Sequence, residues 1–367
     1  MNFKTNTKPL SESLSLGVIN SNVTRFYAPS VVAVLTATRN QLIINLETQS
    51  ILTEIKLQGM GSEDGPVTLF VDCLLLKNLI STFDSTTIDL EFNEDGLVLK
   101  SGKSTFTLPK MLDDEVATKH PDSDVNIEDF HPIDISGWKF VKDNQLYSIA
   151  MNFVRPVYTF VYVSEAGDVL VGDFDNFLFT HSMKSELHNT CLLHSTIVNL
   201  FASLPEGATI CKKNRNYLVY VKTDAYEILS EIQPRYEDEE GIGSYNADIV
   251  MTAMQTHEDN CIQLDPTVMN KFLSQADLLT TSSESKINFN FNGDTIHLLG
   301  DNVDCVLGTQ STCNTTFSVD FKATTLKSAL SKYSDEKISI CPVIVEDEVS
   351  GITIWSDELI TAIAGVD

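Results

Sequence analysis

The chain has 367 residues, of which 51 are acidic and 25 are basic, so its formal net charge is -26. This charge excludes a protein that coats nucleic acid or an anionic membrane with its whole exterior, although it leaves room for a local basic face. The hydrophobic share of 43% is enough to build packed cores, and the length predicts two or three domains.

The first third of the chain predicts two short helices, each followed by β-strands. Thr7-Lys8-Pro9 combines a polar cap with an early proline, so we expect a helix over 7–16, and alternating strands follow from Val31 to Leu46. Residues 72–83 carry leucines at helical spacing. Residues 88–99 then alternate about a turn, which predicts a β-hairpin.

The same order of elements returns twice, with a period of about 120–130 residues. The helices predicted for the middle and last thirds span 137–150, 195–204, 266–279 and 322–333. Alternating strands follow each of them. Two polar, acidic stretches, 112–132 and 234–260, separate the thirds and predict linkers.

The repetition predicts an α+β protein of three similar domains, each with two helices packed on antiparallel sheets. We place them at 1–115, 130–240 and 257–367. Three modules in a row leave a strand edge open at each end of the chain, and open edges invite pairing. A second copy, joined head to tail, would close both edges, so the sequence predicts a homodimeric ring.

The charges are divided unevenly between the helices and the rest. The six predicted helices contain four acids and eight lysines: Lys8, Lys77, Lys139, Lys142, Lys271, Lys322, Lys327 and Lys332. Positive helices inside an acidic shell suit a protein that surrounds DNA without reading its sequence. The alternative is that these are ordinary solvated helix faces, where lysine serves helix propensity.

Several segments resemble bacterial β sliding clamps, the β subunit of DNA polymerase III. Lys100–Pro109 reads KSGKSTFTLP and is similar to the run that closes the family's first domain. Met1–Thr5 resembles the family's opening strand, and Arg25 stands where the family carries a DNA-facing arginine. The triplication extends the likeness over the whole chain. Divergence in the later domains suggests a bacteriophage-encoded member.

The resemblance implies a ring-shaped processivity factor for DNA replication. Such a ring encircles double-stranded DNA without sequence preference and tethers the DNA polymerase. It catalyses nothing and needs no cofactor or metal. The polymerase and the clamp loader would bind through short peptide motifs. The residues that we expect to contact DNA are Arg25, Lys8, Lys77, Lys139, Lys142, Arg155, Lys271, Lys322, Lys327 and Lys332. For Arg155 a structural role is an equal alternative.

The family's peptide-binding groove is altered in this chain. Its turn corresponds to Asp173–Leu178, where only the leucine is kept, and Ala362–Gly365 replaces its C-terminal motif. By position, the residues that would line an apolar groove are Tyr158, Leu178, Ile360 and Ile363. The alternative is that these four side chains are ordinary core.

The sequence also permits other kinds of site. Zinc-ligand residue types occur at His181, His188, Cys191 and His194. Asp173 and Asp175, near Glu165 or Asp168, could hold Mg²⁺ as in a nuclease. The acidic run 237–240 could bind a basic partner, although a solvated linker explains it equally well. An acidic, β-rich virion or scaffold protein is the alternative to a clamp.

The start of the chain and the cysteines predict the compartment. MNFKTNTKPL has no apolar core of a secretory signal, and no apolar run is long enough to span a bilayer. The chain contains seven cysteines without a C-x-x-C pair. We therefore expect free, buried thiols in a reducing cytoplasm, and no membrane partner.

Overall fold

The computed structural model describes residues 1–17, 32–48, 50–62, 65–111, 119–150, 155–174, 178–187, 189–254, 260–279, 286–300, 303–311, 313, 315–333, 337–346 and 348–366. These residues form two compact units. The first unit consists of Met1–Lys139 and His194–Pro234, and the second of Phe140–Leu193 and Arg235–Asp367.

The predicted helices are all present. The helices of the described residues are α1 (Thr7–Gly17), α2 (Cys73–Ile80), α3 (Ile135–Asn144), α4 (Ser195–Ser203), α5 (Ala247–Ala253), α6 (Pro266–Leu279) and α7 (Ala323–Leu330). Only α5 was not predicted, because it lies inside the acidic stretch 234–260. Single 3₁₀ turns occupy Ile127–Asp129, Leu146–Ser148 and Pro156–Thr159. Within the described ranges, none of these helices is both long and apolar enough to cross a bilayer.

The strands follow the helices in the predicted alternation. In the first third they are β1 (Asn2–Asn6), β2 (Val32–Ala37), β3 (Gln41–Glu47), β4 (Ile51–Gln58), β5 (Met60–Gly61), β6 (Val67–Asp72), β7 (Thr87–Asn93), β8 (Gly96–Ser101) and β9 (Ser104–Pro109). In the middle third they are β10 (His131–Pro132), β11 (Val161–Val163), β12 (Asp168–Asp173), β13 (Leu178–Lys184), β14 (Cys191–Leu193), β15 (Thr209–Lys213), β16 (Asn216–Lys222) and β17 (Tyr226–Ile232). In the last third they are β18 (Ile262–Leu264), β19 (Lys286–Phe291), β20 (Thr295–Gly300), β21 (Val303–Gly308), β22 (Gln310–Ser311), β23 (Phe317–Lys322), β24 (Ile338–Val345), β25 (Glu348–Trp355) and β26 (Ile360–Ala364).

The first unit contains two antiparallel sheets. A five-stranded sheet has the order β5-β1-β7-β8-β9, and an eight-stranded sheet has the order β10-β15-β16-β17-β4-β3-β2-β6. The larger sheet joins strands from two thirds of the chain, because Tyr226–Ile232 of β17 pairs with Ile51–Leu57 of β4. Leu10 and Leu14 of α1 are buried in this unit, as their spacing of one helical turn requires.

The second unit is built in the same way. A nine-stranded sheet has the order β14-β11-β12-β13-β26-β25-β24-β18-β22, and a four-stranded sheet has the order β21-β20-β19-β23. Here β13 of the middle third pairs with β26 of the last third. The middle third therefore contributes strands to both units. Its status as a separate domain, and the boundaries of all three domains, stay predictions.

The cysteine prediction was wrong for one pair. Cys261 and Cys341 form a disulfide, with Cα atoms 4.5 Å apart. The cause is the strand register, since Ile262 of β18 lies opposite Ile340 of β24 and places the two cysteines side by side. Cys73, Cys191, Cys211, Cys305 and Cys313 are not disulfide-bonded. A count of cysteines cannot detect such a pair, because the two residues are 80 positions apart.

Candidate nucleic-acid interface and partner groove

Three of the predicted DNA-contacting lysines lie on helices of the first unit. Lys8 projects from the first turn of α1 with 86% of its side chain exposed, and its ammonium lies 3.7 Å from Glu12. An ion pair this exposed contributes at most about 1 kcal/mol. Lys139 on α3 is exposed as well. Lys77 in the last turn of α2 is half-buried, and this burial lowers its pKa, which the neighbouring Cys73 partly opposes.

The second unit holds the remaining predicted lysines. Lys142 in the last turn of α3 and Lys271 on α6 are exposed. Lys322 precedes the first residue of α7, and Lys327 lies in the last turn of that helix, where a positive charge complements the helix dipole. Both of these lysines are half-buried and engaged in interactions with the protein.

Lys332 has a contact within the protein that its prediction did not include. Its ammonium donates to the backbone carbonyl of Asp143 at 2.8 Å, and it lies 5.1 Å from the ring centroid of Tyr147. Asp143 is close to the end of α3, where carbonyl groups lack helical partners. Lys332 therefore satisfies the end of a helix, and its assignment to DNA stays a prediction.

Two arginines, Arg25 and Arg155, were also predicted to contact DNA. Arg25 lies outside the described residues. Arg155 is exposed, and its guanidinium carbon lies 4.8 Å above the ring centroid of Phe174. This is the distance of a cation–π contact, which holds the guanidinium over an aromatic face.

The four residues predicted to line a groove are divided between two faces of the nine-stranded sheet. Leu178 and Ile363 lie opposite each other on β13 and β26 and belong to the large core cluster of the second unit. Tyr158 and Ile360 belong to a different cluster, on the face that carries Phe179. Neighbouring residues of a strand point to opposite faces, so position in the sequence alone could not separate the two pairs. Tyr158, Leu178 and Ile363 are 2%, 5% and 2% exposed.

The cluster around Tyr158 is strongly aromatic. The Tyr158 ring lies 5.0 Å from Phe174 and 6.3 Å from Phe179, and Phe174 lies 5.4 Å from Phe179. Gly172 lies opposite Phe179 on β12, and a β-carbon there would collide with the Phe179 ring. The glycine thus lets this ring lie flat over the strand. With Tyr162 of β11, these residues form what we call the aromatic slot: Tyr158, Tyr162, Phe174 and Phe179.

Tyr245 fills the slot and was missed by sequence reasoning. Its ring stacks on Tyr162 with centroids 4.7 Å apart and planes 16° apart, and it lies 5.0 Å from Tyr158. The Tyr158 hydroxyl donates to the Tyr245 backbone carbonyl at 3.2 Å. The available signal was the helical spacing of Ala247, Val250, Met251 and Met254 directly after this tyrosine.

Among the strands that end the four sheets, β9 and β21 each expose an apolar side chain and have an exposed charged residue close by. β9 ends the five-stranded sheet, beyond a two-residue turn at Gly102-Lys103, and β21 ends the four-stranded sheet. Phe106 on β9 is 40% exposed, and Val306 on β21 is 60% exposed. Lys103 beside β9 is exposed, and so is Asp304 on β21, which contacts His297 at 2.5 Å. One edge is therefore apolar and basic, and the other is apolar and acidic.

The residues considered for a metal or nuclease site are scattered. The His181 ring lies 3.5 Å from Asp168, and Asp173 is buried at the end of β12. His194 precedes α4 and accepts from the Thr196 backbone, and burial lowers its pKa. His188 and Asp175 lie outside the described residues. Among the residues that are described, no three His, Cys, Asp or Glu side chains are grouped closely enough to hold a metal ion.

The acidic run is folded locally. Glu239 accepts from the Tyr236 backbone at 3.0 Å and from the Arg235 guanidinium at 2.8 Å, and Glu237 accepts from the Tyr245 backbone at 2.5 Å. At least two carboxylates of the run thus hold the chain that carries Tyr245. This role accounts for them without a basic partner.

The fold is that of the β sliding clamps. The chain is similar over its full length to the DNA polymerase III β subunit of Pseudomonas aeruginosa, with a TM-score of 0.75, 14% identity and complete coverage of both chains. The β subunit of Thermotoga maritima gives a TM-score of 0.77 at 13% identity, covering 100% of this chain and 99% of the other. The DNA polymerase sliding clamp of Caulobacter crescentus gives 0.75 at 14% identity, with both chains fully covered.

No protein-family model matches the chain, and no curated protein matches it. The likeness to the clamps is therefore a likeness of fold.

Proposed function

We propose that this protein is a DNA sliding clamp, a non-enzymatic processivity factor of DNA replication. The observation that supports this most is the full-length likeness of its fold to proteins named as sliding clamps. Such a clamp would encircle duplex DNA and hold the replicative polymerase on it. That a bacteriophage encodes the protein stays an expectation from the sequence.

The exposed edges of β9 and β21 support closure by a second copy. Both β9 and β21 have six residues, and each exposes an apolar side chain at its centre. Pairing β9 of one copy with β21 of the other would satisfy both rows of backbone groups. Lys103 near one edge and Asp304 on the other favour this pairing over that of two identical edges. Two copies joined at both edges would form a closed homodimer.

The exposed lysines on helices support the DNA side of the proposal. Lys8, Lys139, Lys142 and Lys271 are exposed in a chain of net charge -26. Lysines attract the phosphate backbone without reading bases, which is the kind of contact that a sliding protein needs. Lys322 and Lys327 are half-buried and would contribute less. Arg25 keeps the role that the family resemblance implies for it, and Lys77 keeps the role predicted from the charge of the helices.

Peptide motifs of the polymerase and the clamp loader would bind at the second unit. Of the four residues predicted for this groove, Tyr158 and Ile360 share one face and adjoin the aromatic slot. Arg155 on Phe174 marks the exposed end of that slot. We therefore keep Tyr158 and Ile360 in the proposed site and add Arg155, which the sequence assigned to DNA. Leu178 and Ile363 would support it from the opposite face of the sheet.

The mass in solution tests the closure. The monomer has a mass of 40.7 kDa, and we expect light scattering to give about twice this value. Phe106→Asp or Val306→Asp should produce monomers, because each places a charge in the apolar contact. Met60→Asp is the matched control, since Met60 is 71% exposed on β5, at the other end of the sheet that β9 ends. A wild-type monomer at all concentrations would contradict the proposal.

Duplex binding tests the charged helices. A variant with glutamate at Lys8, Lys139, Lys142 and Lys271 should bind a fluorescent duplex at least about tenfold more weakly at low salt. Its control carries glutamate at four exposed lysines outside the helices, namely Lys4, Lys119, Lys222 and Lys337. Equal loss in both variants would show that net charge alone is responsible. A dimer without any affinity for duplex would favour the acidic virion or scaffold protein instead.

A further inference from the structure

We infer that residues 241–254 are a displaceable occupant of the aromatic slot, and that a partner peptide binds there by replacing Tyr245 with an aromatic side chain of its own. This inference rests on the proposed function, since it concerns the site where partners of the clamp would bind. The occupant is seen in place. The partner is defined by the chemistry of the slot, which is lined by rings.

The slot fits an aromatic side chain closely. Tyr162 offers a parallel face to the Tyr245 ring at 4.7 Å, and Tyr158 closes the slot at a tilt of 48° from 5.0 Å. Stacked and tilted rings at these distances attract each other beyond the apolar area that they bury. The Tyr158 hydroxyl also donates to the backbone carbonyl of residue 245, a group that any peptide offers. Both contacts would be available to a peptide from outside.

The segment is attached to the sheet by side chains. No residue from 236 to 254 belongs to a β-strand. The backbone N–H groups of residues 239, 242, 249, 250 and 254 donate to carbonyl groups between residues 236 and 250, and so to none of the strands. Val250 and Met254 of α5 are buried against the slot cluster, while Ile249 on the outer side is 63% exposed. Displacing such a segment would break no strand ladder, so the sheet beneath it would keep its pairing.

Two further features make the resting state replaceable. The Tyr245 hydroxyl is buried and has no hydrogen-bond partner among the described residues, which weakens the occupant relative to a ring without a hydroxyl. Gly241, Gly243 and Asn246 have positive φ values of 81°, 85° and 51°. Left-handed backbone is readily adopted by glycine, and asparagine is among the other residues that tolerate it best. The segment thus has backbone positions on both sides of Tyr245 whose residue types tolerate this conformation.

The chain's own peptide provides a probe of known sequence. A fluorescein-labelled peptide of residues 241–254 is titrated with the full-length protein, and binding is measured by anisotropy. In the wild type, the internal segment competes at an effective concentration on the order of millimolar, so binding should be weak. Tyr245→Ala should empty the slot and bind the peptide at least tenfold more tightly. The same peptide with Tyr245→Ala should lose this affinity.

Two more variants separate an occupant from a structural residue. Tyr245→Phe strengthens the occupant, so it should bind the peptide no better than the wild type. Ile249→Ala is the matched control, because it changes an exposed side chain of the same helix and should leave the affinity unchanged. Tyr245→Ala binding no more tightly than the wild type would overturn the inference.

Hydrogen exchange covers the case in which Tyr245→Ala does not fold. In the wild type, the protected amides within 241–254 should exchange at least tenfold faster than those of β11 to β13. Exchange of both regions at one rate would make the segment part of the core and overturn the inference. A dimer that binds duplex but fails these tests would lose only the displaceable segment. A monomer without duplex affinity would contradict the clamp itself, whatever the peptide does.

Discussion

The second unit contains two aromatic clusters that are held in different ways. In the Phe cluster (Phe289, Phe291, Phe317 and Phe321) every ring stands on a strand, and β19 pairs with β23 along its length. In contrast, the Tyr245 ring that fills the aromatic slot belongs to a segment that pairs with no strand. The first cluster is fixed by backbone and side chains together. The second is closed by side-chain packing, so burial alone does not decide how firmly a ring is held.

The largest effect should come from the Phe cluster. Phe289 is fully buried and stacks on Phe317 at 5.8 Å, so Phe289→Ala should lower the free energy of unfolding by about 3–5 kcal/mol. The half-buried Phe174 of the slot is the comparison, and Phe174→Ala should cost about half as much. The chain has two tryptophans, and Trp355 lies in the second unit. A Trp138→Phe background therefore makes fluorescence during urea unfolding report that unit. Equal costs would erase the contrast between the clusters.

The disulfide should stabilise the strands of the second unit and leave the hydrogen exchange of the segment in the aromatic slot unchanged. Cys261–Cys341 ties β18 to β24 and closes a separation of 80 residues. Links of this kind contribute about 2–4 kcal/mol, mainly by restricting the unfolded chain. A reductant should therefore lower the urea midpoint of the second unit. A variant with alanine at both cysteines should not respond to the reductant. Faster hydrogen exchange in 241–254 after reduction would contradict the separation of the two regions.

The order of elements could be predicted from the sequence because periodicity and caps are local signals. Asp265-Pro266 indicates the start of α6, and the Asp265 carboxylate indeed accepts from the Thr267 backbone at 2.8 Å. Helix α5 escaped prediction because it has only 7 residues within a polar stretch and depends on the slot for its apolar face. The disulfide depends on a register between distant strands, which no local signal carries.

The site was less predictable than the fold for a similar reason. The groove prediction used position along the chain, whereas the face of the sheet decides which side chains meet. Leu178 and Phe179 are neighbours in sequence and belong to different clusters. The same limit applies to a charged residue, Lys332. Its hydrogen-bond acceptor, the backbone carbonyl of Asp143, is 189 positions away in the sequence. Helix spacing and charge predicted that Lys332 would be exposed and would face DNA. Long-range packing instead places its ammonium on the end of α3.

A smaller effect should come from a hydroxyl that is fully paired. Tyr333 belongs to the same core as the Phe cluster, and its hydroxyl lies 2.8 Å from the Thr361 hydroxyl and 3.1 Å from the Ile354 carbonyl. Burial raises its pKa far above the usual range. Tyr333→Phe should destabilise the second unit by about 1–2 kcal/mol, because buried partners are left unpaired. The measurement is the same unfolding experiment, with Trp355 as reporter.

The smallest effect should have the opposite sign. Tyr245 is as deeply buried as Tyr333, but within the part of the chain that the structure describes its hydroxyl has no hydrogen-bond partner. Tyr245→Phe should therefore stabilise the second unit by about 0.5–1.5 kcal/mol, since the ring keeps its stacking on Tyr162 and a buried unpaired group is removed. The two Tyr→Phe variants remove the same atom, so each serves as the control of the other. Destabilisation in both would mean that the Tyr245 hydroxyl has a bonded partner. Tyr245 would then be held in the slot as firmly as the rings of the Phe cluster are held in their core. A partner peptide would gain no free energy by replacing it.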